Sequence, residues 1–135
     1  MSYYDLLTGH DLSIYPSYYE PWGYTPLESC AFSIPTITTD LAGFGVWVKA
    51  KNADTNINGG VEVIHRTDSN YAETVARVKD AVITYMDADI KTKNKMRRKA
   101  FFYAGRATWE DFKVFYLRAY GVALKNSVKR NYNHA

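Results

Sequence analysis

Apolar residues recur at two different ranges along this chain. In the first half they come in short, β-branched runs. Leu12-Ser13-Ile14-Tyr15, Pro35-Thr36-Ile37-Thr38-Thr39 and Val61-Glu62-Val63-Ile64-His65 each read as a strand. A helix from Pro26 to about Ser33 separates the first two, so they are expected to run parallel. Met1 to Gly9 reads as a short helical turn stopped by Gly9. Asp40 to Gly45 reads as a loop at the carboxyl end of the second strand. Val46 to Gly60, with Asn52, Asp54, Asn56, Asn58, Gly59 and Gly60, reads as an irregular surface insertion.

After His65 the period lengthens to that of a helix. Asn70 with Glu73 forms a capping box ahead of Val75, Val78, Val82 and Tyr85 on one face. Lys91 to Ala104 is expected to be helical with Met96, Ala100 and Tyr103 inward. Thr108 to Asp111 opens a last helix with Phe112, Phe115, Tyr116, Ala119, Val122 and Ala123 on one stripe. The pattern predicts an α/β fold of about three parallel strands followed by C-terminal helices. It is expected to form a single domain, with a β/α part over 1–66 and a helical part over 67–135.

The segment from Ser17 to Glu28 lies where open α/β sheets hold ligands, at the carboxyl end of a strand. Thr25 is a natural N-cap, Pro26 suits the first helical position, and Glu28 stands three residues after Thr25. The amides around Gly23, Tyr24 and Thr25 then point out of the helix, where the helix dipole favours an anion. Gly23 has no Cβ to keep a phosphate away from the backbone. Glu20 precedes this cradle. A carboxylate beside a phosphate site is awkward unless it binds hydroxyls or stabilises positive charge. A nucleotide sugar offers hydroxyls, and glycosyl transfer generates positive charge at its anomeric carbon. Each residue also has a plainer reading: Glu28 as the capping-box glutamate, Glu20 as a solvated loop residue, and Tyr18, Tyr19, Trp22 and Tyr24 as packing aromatics.

The whole string is more specific than its parts. Tyr18-Tyr19-Glu20-Pro21-Trp22-Gly23-Tyr24-Thr25-Pro26-Leu27-Glu28, followed by Ile34-Pro35-Thr36-Ile37-Thr38-Thr39-Asp40-Leu41-Ala42-Gly43-Phe44-Gly45, closely resembles the glycogen synthases of the animal and fungal type and their bacterial relatives. The match is strong from about Tyr3 to Gly45 and thinner beyond. The resemblance implies the C-terminal portion of a Rossmann-like domain of a two-domain (GT-B) glycosyltransferase. Such enzymes move glucose from UDP-glucose or ADP-glucose to the non-reducing end of glycogen or another α-1,4-glucan, with retention. It implies Glu20 against the donor glucose as the catalytic carboxylate, stabilising an oxocarbenium-like transition state. It implies Glu28 on the ribose and Tyr3 on the base, with Trp22, Gly23, Tyr24 and Thr25 completing the donor-binding loop. Gly43 and Gly45 would let their loop approach the sugar; their plainer role is a flexible turn. The resemblance further implies that the remainder of the enzyme is missing, and that the chain alone is inactive.

Composition changes the picture in four places. The 135 residues suffice for one domain with a real core. Cys30 is the sole cysteine, which rules out a disulfide framework and suits a cytoplasmic protein. No apolar run reads as long enough to span a bilayer or as a signal peptide, so neither a membrane partner nor a secreted protein is expected. His10, His65 and His134 have no companions at metal-ligand spacing, and neither metal nor cofactor is expected.

Charge is split along the chain. Residues 1–89 carry 5 basic and 12 acidic side chains, residues 90–135 carry 12 and 2. The densest cluster is Lys91, Lys93, Lys95, Arg97, Arg98 and Lys99. A solvated face offsetting the acidic half explains it without further assumption. No nucleic-acid motif accompanies it, which argues against nucleic acid. The resemblance implies a regulatory sugar-phosphate site in this region. Only Arg97-Arg98 retains an arginine pair, and lysine does not reproduce arginine's planar fork. Two other classes stay open: a non-catalytic nucleotide-binding or homo-oligomerising module, and another nucleotide-sugar glucosyltransferase, such as one making sucrose or trehalose.

Overall fold

A computed structural model describes residues 2–52 and 55–132, the last five of these by backbone alone. Asp54 and His134 lie outside the described residues. The chain divides into two compact units, Met1–Gly105 and Arg106–Ala135.

The first unit is built on three strands, β1 (Ser13–Ile14), β2 (Thr36–Thr39) and β3 (Val61–Ile64), in the order β1-β2-β3. Both pairings are parallel, as expected. A parallel sheet needs cover on both faces, and β2 has it: every residue from Ile34 to Thr39 is buried. Alternation along the strands divides the core. Val61 and Val63 join Cys30, Phe44 and Val48, while Ile37 and Ile64 join Ala81, Tyr85 and Met96. Cys30 and Phe44 come from α2 (Tyr24–Ala31) and α3 (Gly43–Lys51), Ala81 and Tyr85 from α4 (Tyr71–Asp87). Helix α5 (Ile90–Ala104) serves both clusters, sending Met96 to one and Ala100 and Tyr103 to the other. That inward triplet is the one its spacing predicts.

Glu62 is buried among these residues on β3. Its carboxylate accepts from Arg77 Nη2 at 2.6 Å and from the Ile57 amide at 2.9 Å, so both oxygens are satisfied. Thr38 Oγ1, on β2, is buried with no hydrogen-bond partner among the described residues.

Two expectations need correction. The stretch Val46 to Gly60 is not an irregular surface insertion throughout. Gly43–Lys51 is helix α3, with Phe44 and Val48 buried one turn apart, and a short 3₁₀ turn follows at Ile57–Gly59. The second capping box is not made either: Asn70 Oδ1 accepts from the Thr67 amide and the Thr74 hydroxyl instead. A box forms at the start of the chain, where Ser2 and Asp5 cap α1 (Tyr3–Leu7).

The second unit is α6 (Trp109–Tyr132) and the residues leading into it. Thr108 accepts from the Asp111 amide and donates to its carboxylate, as the sequence predicts. None of the side chains described on α6 is buried.

Candidate functional site

Two loops leave the carboxyl ends of β1 and β2 side by side, and backbone hydrogen bonds join them. β1 donates from Ser13 and Tyr15 to the carbonyls of Pro35 and Ile37, which fixes its register. Beyond it, the Glu20 amide donates to Leu41, the Gly43 amide donates to Glu20, and the Phe44 amide donates to Trp22. Glu20 and Ala42 thus form a parallel bridge outside the sheet. The Thr39 hydroxyl donates to the Ser17 carbonyl at 2.7 Å, and Ser17 Oγ donates to Glu20 Oε2 at 3.1 Å. Glu20 is therefore held at its backbone by one loop and at its carboxylate by a serine that the strand itself fixes.

The glycines of the second loop explain the closeness. A Cβ on Gly43 would stand 2.2 Å from the Pro21 carbonyl oxygen, and one on Gly45 2.1 Å from that of Thr39. Both are places of close backbone approach rather than flexible turns, since they open α3.

The start of α2 departs from the sequence reading. Gly23, not Thr25, is the N-cap, and it sits at φ 103°, a left-handed conformation that suits glycine. The helix begins at Tyr24, so Pro26 is its third residue, where an amide would still lack an intrahelical acceptor. The Thr25–Glu28 box does not form, and no side chain caps this end. The amides of Tyr24 and Thr25 head the helix without a carbonyl one turn back to bond. Beside them, an added Cβ on Gly23 would lie 3.4 Å from Glu20 Oε2, so the carboxylate and the helix mouth are neighbours.

Released from capping, Glu28 accepts at Oε2 from the Tyr3 hydroxyl at 3.2 Å. Two residues 25 apart in sequence, both singled out above, are thereby brought together. Partial burial first, then Tyr15 and the Glu28 carboxylate, raise the Tyr3 phenol above its ordinary value. Tyr24 and Thr25 are exposed. Trp22 is half-buried, with its ring 6.0 Å from that of Phe44 and 6.1 Å from that of Trp47.

Sequence reasoning missed the residues behind the loops. Asp40, at the end of β2, accepts at Oδ2 from His65 Nδ1 at 2.7 Å and from Lys49 Nζ at 3.4 Å. Its Oδ1 accepts from the Arg66 amide at 3.0 Å. Burial pushes this carboxyl up, but His65, the Arg66 amide and Lys49 outweigh it and leave it below the ordinary value. The Arg66 guanidinium donates to the Pro16 carbonyl and lies over the Tyr18 ring, 5.0 Å from its centroid. No spacing rule marks these contacts, which depend on strand register.

Elsewhere, α5 carries the basic cluster. Arg97 pairs with Asp11, and Arg98 is exposed. The buried Cys30 thiol is pushed up to about 12 by burial, against the Thr36 hydrogen bond, so it is an inert packing residue. Among the described residues, no group of three or more His, Cys, Asp or Glu could hold a metal ion, and no helix is long and apolar enough to cross a membrane.

Comparison with known proteins places the chain. The family model described as glycogen synthase matches residues 1–135. A glycogen (starch) synthase of Caenorhabditis elegans is 29% identical over 125 residues, covering 93% of this chain and 18% of that protein. One of Neurospora crassa is 25% identical over 133 residues, 98% of this chain and 19% of the relative. The liver glycogen (starch) synthase of Mus musculus is 48% identical over 59 residues, 44% of this chain and 8% of the relative. The chain spans less than a fifth of the length of these relatives.

Proposed function

This chain belongs to the glycogen synthase family, and from that premise we propose that it forms the donor side of a retaining glucosyltransferase of two-Rossmann-domain (GT-B) build. In this reading the donor is UDP-glucose or ADP-glucose and the acceptor is the end of an α-1,4-glucan such as glycogen. The enzyme works in the cytoplasm. The remaining domain and the upstream part of this one complete the site, and residues 1–135 act as one partial domain within it. The observation that carries the proposal is the neighbourhood of Glu20 and the open mouth of α2.

The roles follow from charge. The amides of Tyr24 and Thr25, with the Thr25 hydroxyl, take the distal phosphate of the leaving nucleotide, on the positive end of the helix dipole. Donors fixed in advance stabilise the charge that builds there as the bond breaks. Glu20 faces the sugar, where a carboxylate favours the positive charge growing at the anomeric carbon. It is not assigned as a nucleophile, because the acceptor arrives on the face from which the leaving group departs. Glu28 binds the ribose hydroxyls and Tyr3 stacks on the base, their mutual hydrogen bond holding both in place. Gly43 and Gly45 open α3 and, by letting backbone pass close to Pro21 and Thr39, hold the end of the second loop beside the glucose.

In the intact enzyme, Glu20→Ala is expected to lower kcat by about 10³-fold, the range seen when a preorganised electrostatic group is removed. Glu28→Ala is expected to weaken nucleotide binding by about tenfold, the worth of roughly one hydrogen bond. Steady-state kinetics and calorimetry measure the two. Equal, mild effects from both substitutions would overturn the assignment.

A further inference from the structure

The proposed site uses Glu20 but not the charged groups behind it. We propose that Arg66 and Asp40 are positioning residues for Glu20, an inference that rests on the role given to Glu20 above. Asp40 binds the backbone of the residue that follows His65, and so ties the end of β3 to the end of β2. From there the Arg66 side chain crosses to the segment after β1, where it donates to the Pro16 carbonyl and covers Tyr18. Glu20 lies between these two anchors. On one side, Pro16 and Tyr18 lead into it. On the other, Leu41 and Gly43, just after Asp40, bond its amide and carbonyl.

One guanidinium and one carboxylate thus fix both flanks of a four-residue loop, Ser17 to Glu20, at three strand ends. Lys49 and His65 share the second oxygen of Asp40. Neither Arg66 nor Asp40 contacts the Glu20 carboxylate in the structure, whose partner there is Ser17. Their effect must therefore pass through backbone position. A small displacement of a catalytic group is enough to slow a reaction while leaving substrate affinity intact.

The test has two arms. In the intact enzyme, Arg66→Ala and Asp40→Asn are expected to lower kcat by about tenfold with the KM for the nucleotide sugar within about twofold, and Arg66→Lys to recover most of the loss, since it keeps a charged donor for Pro16. In the 135-residue chain, amide exchange at Glu20 and Gly43 is expected to quicken on Arg66→Ala, while Ile37 and Thr38 in β2 keep their rates. An unchanged kcat in both variants overturns the proposal. So does a rise in KM alone, or an equal quickening in β2, which marks general destabilisation. If Glu20→Ala leaves turnover intact while the amides loosen as expected, the role of Glu20 fails and the mechanical link stands.

Discussion

The strand ends and the last helix are both rich in apolar residues, yet they use them in opposite ways. From Ile34 to Thr39 every residue is buried. On α6, Trp109, Phe115, Leu117, Tyr120, Val122 and Leu124 are each more than half exposed. The first region satisfies its backbone through parallel pairing and then closes helices over both faces. The second satisfies its backbone within itself, so nothing in its own hydrogen bonding demands a neighbour. Apolar content therefore does not rank these regions. What separates them is how closely other backbone must approach.

Glycine reports that closeness directly, and the largest expected effect is at Gly45. An added Cβ there meets a backbone oxygen of β2, which a rotamer change cannot relieve. Gly45→Ala is expected to destabilise the chain by about 3 kcal/mol, the upper part of the range for overpacking. Urea denaturation followed by tryptophan fluorescence, with Trp22 and Trp47 close by, measures it. A loss below about 1 kcal/mol would mean that α3 is able to slide off β2, and the contrast with α6 would weaken.

The same two regions explain what was legible in the sequence. Strands β2 and β3 could be read because β-branched residues dominate both, and α5 because Met96, Ala100 and Tyr103 repeat at helical spacing. Helix α3 was missed because Gly43, Gly45 and Val46 are poor helix formers. Tertiary contact overrides that propensity: Phe44 and Val48 bury on one face, with Trp47 packed beside them. The candidate loop was readable as a string, but its helix start was not. Thr25 and Pro26 carry a conventional N-terminal signal, whereas Gly23 in a left-handed conformation leaves no mark beyond being glycine. The Asp40–Arg66–Pro16 connection was out of reach, because it joins three strand ends that only the register of β1, β2 and β3 brings together.

A smaller effect tests whether the buried region is as well satisfied as its packing suggests. Thr38 Oγ1 is its exception, buried in β2 with no partner among the described residues. Valine has nearly the same shape and no hydroxyl to desolvate. Thr38→Val is expected to stabilise the chain by about 1–2 kcal/mol, the cost of a buried group left unsatisfied. A rise in urea midpoint at unchanged slope is the supporting result. A fall would show that the hydroxyl finds a partner in solution, such as an ordered water between the strand and its covering helices.

The smallest effect lies on the other side of the comparison. Gly121 occupies the interior of α6, and a Cβ built on it meets no atom within 4 Å. It is thus unlike Gly43 and Gly45 in everything but its name. With helical backbone on both sides, a glycine here only raises the entropy lost on forming the helix. Gly121→Ala is expected to stabilise α6 by about 0.8–1.0 kcal/mol, the usual difference between the two residues in a helix interior. Far-UV circular dichroism should show added helicity, and hydrogen–deuterium exchange should show slower exchange of the α6 amides. The opposite sign is the informative failure. If the single methyl lowers stability, a neighbour in solution must come as near to Gly121 as Pro21 comes to Gly43, and the helix would owe its glycine to contact after all.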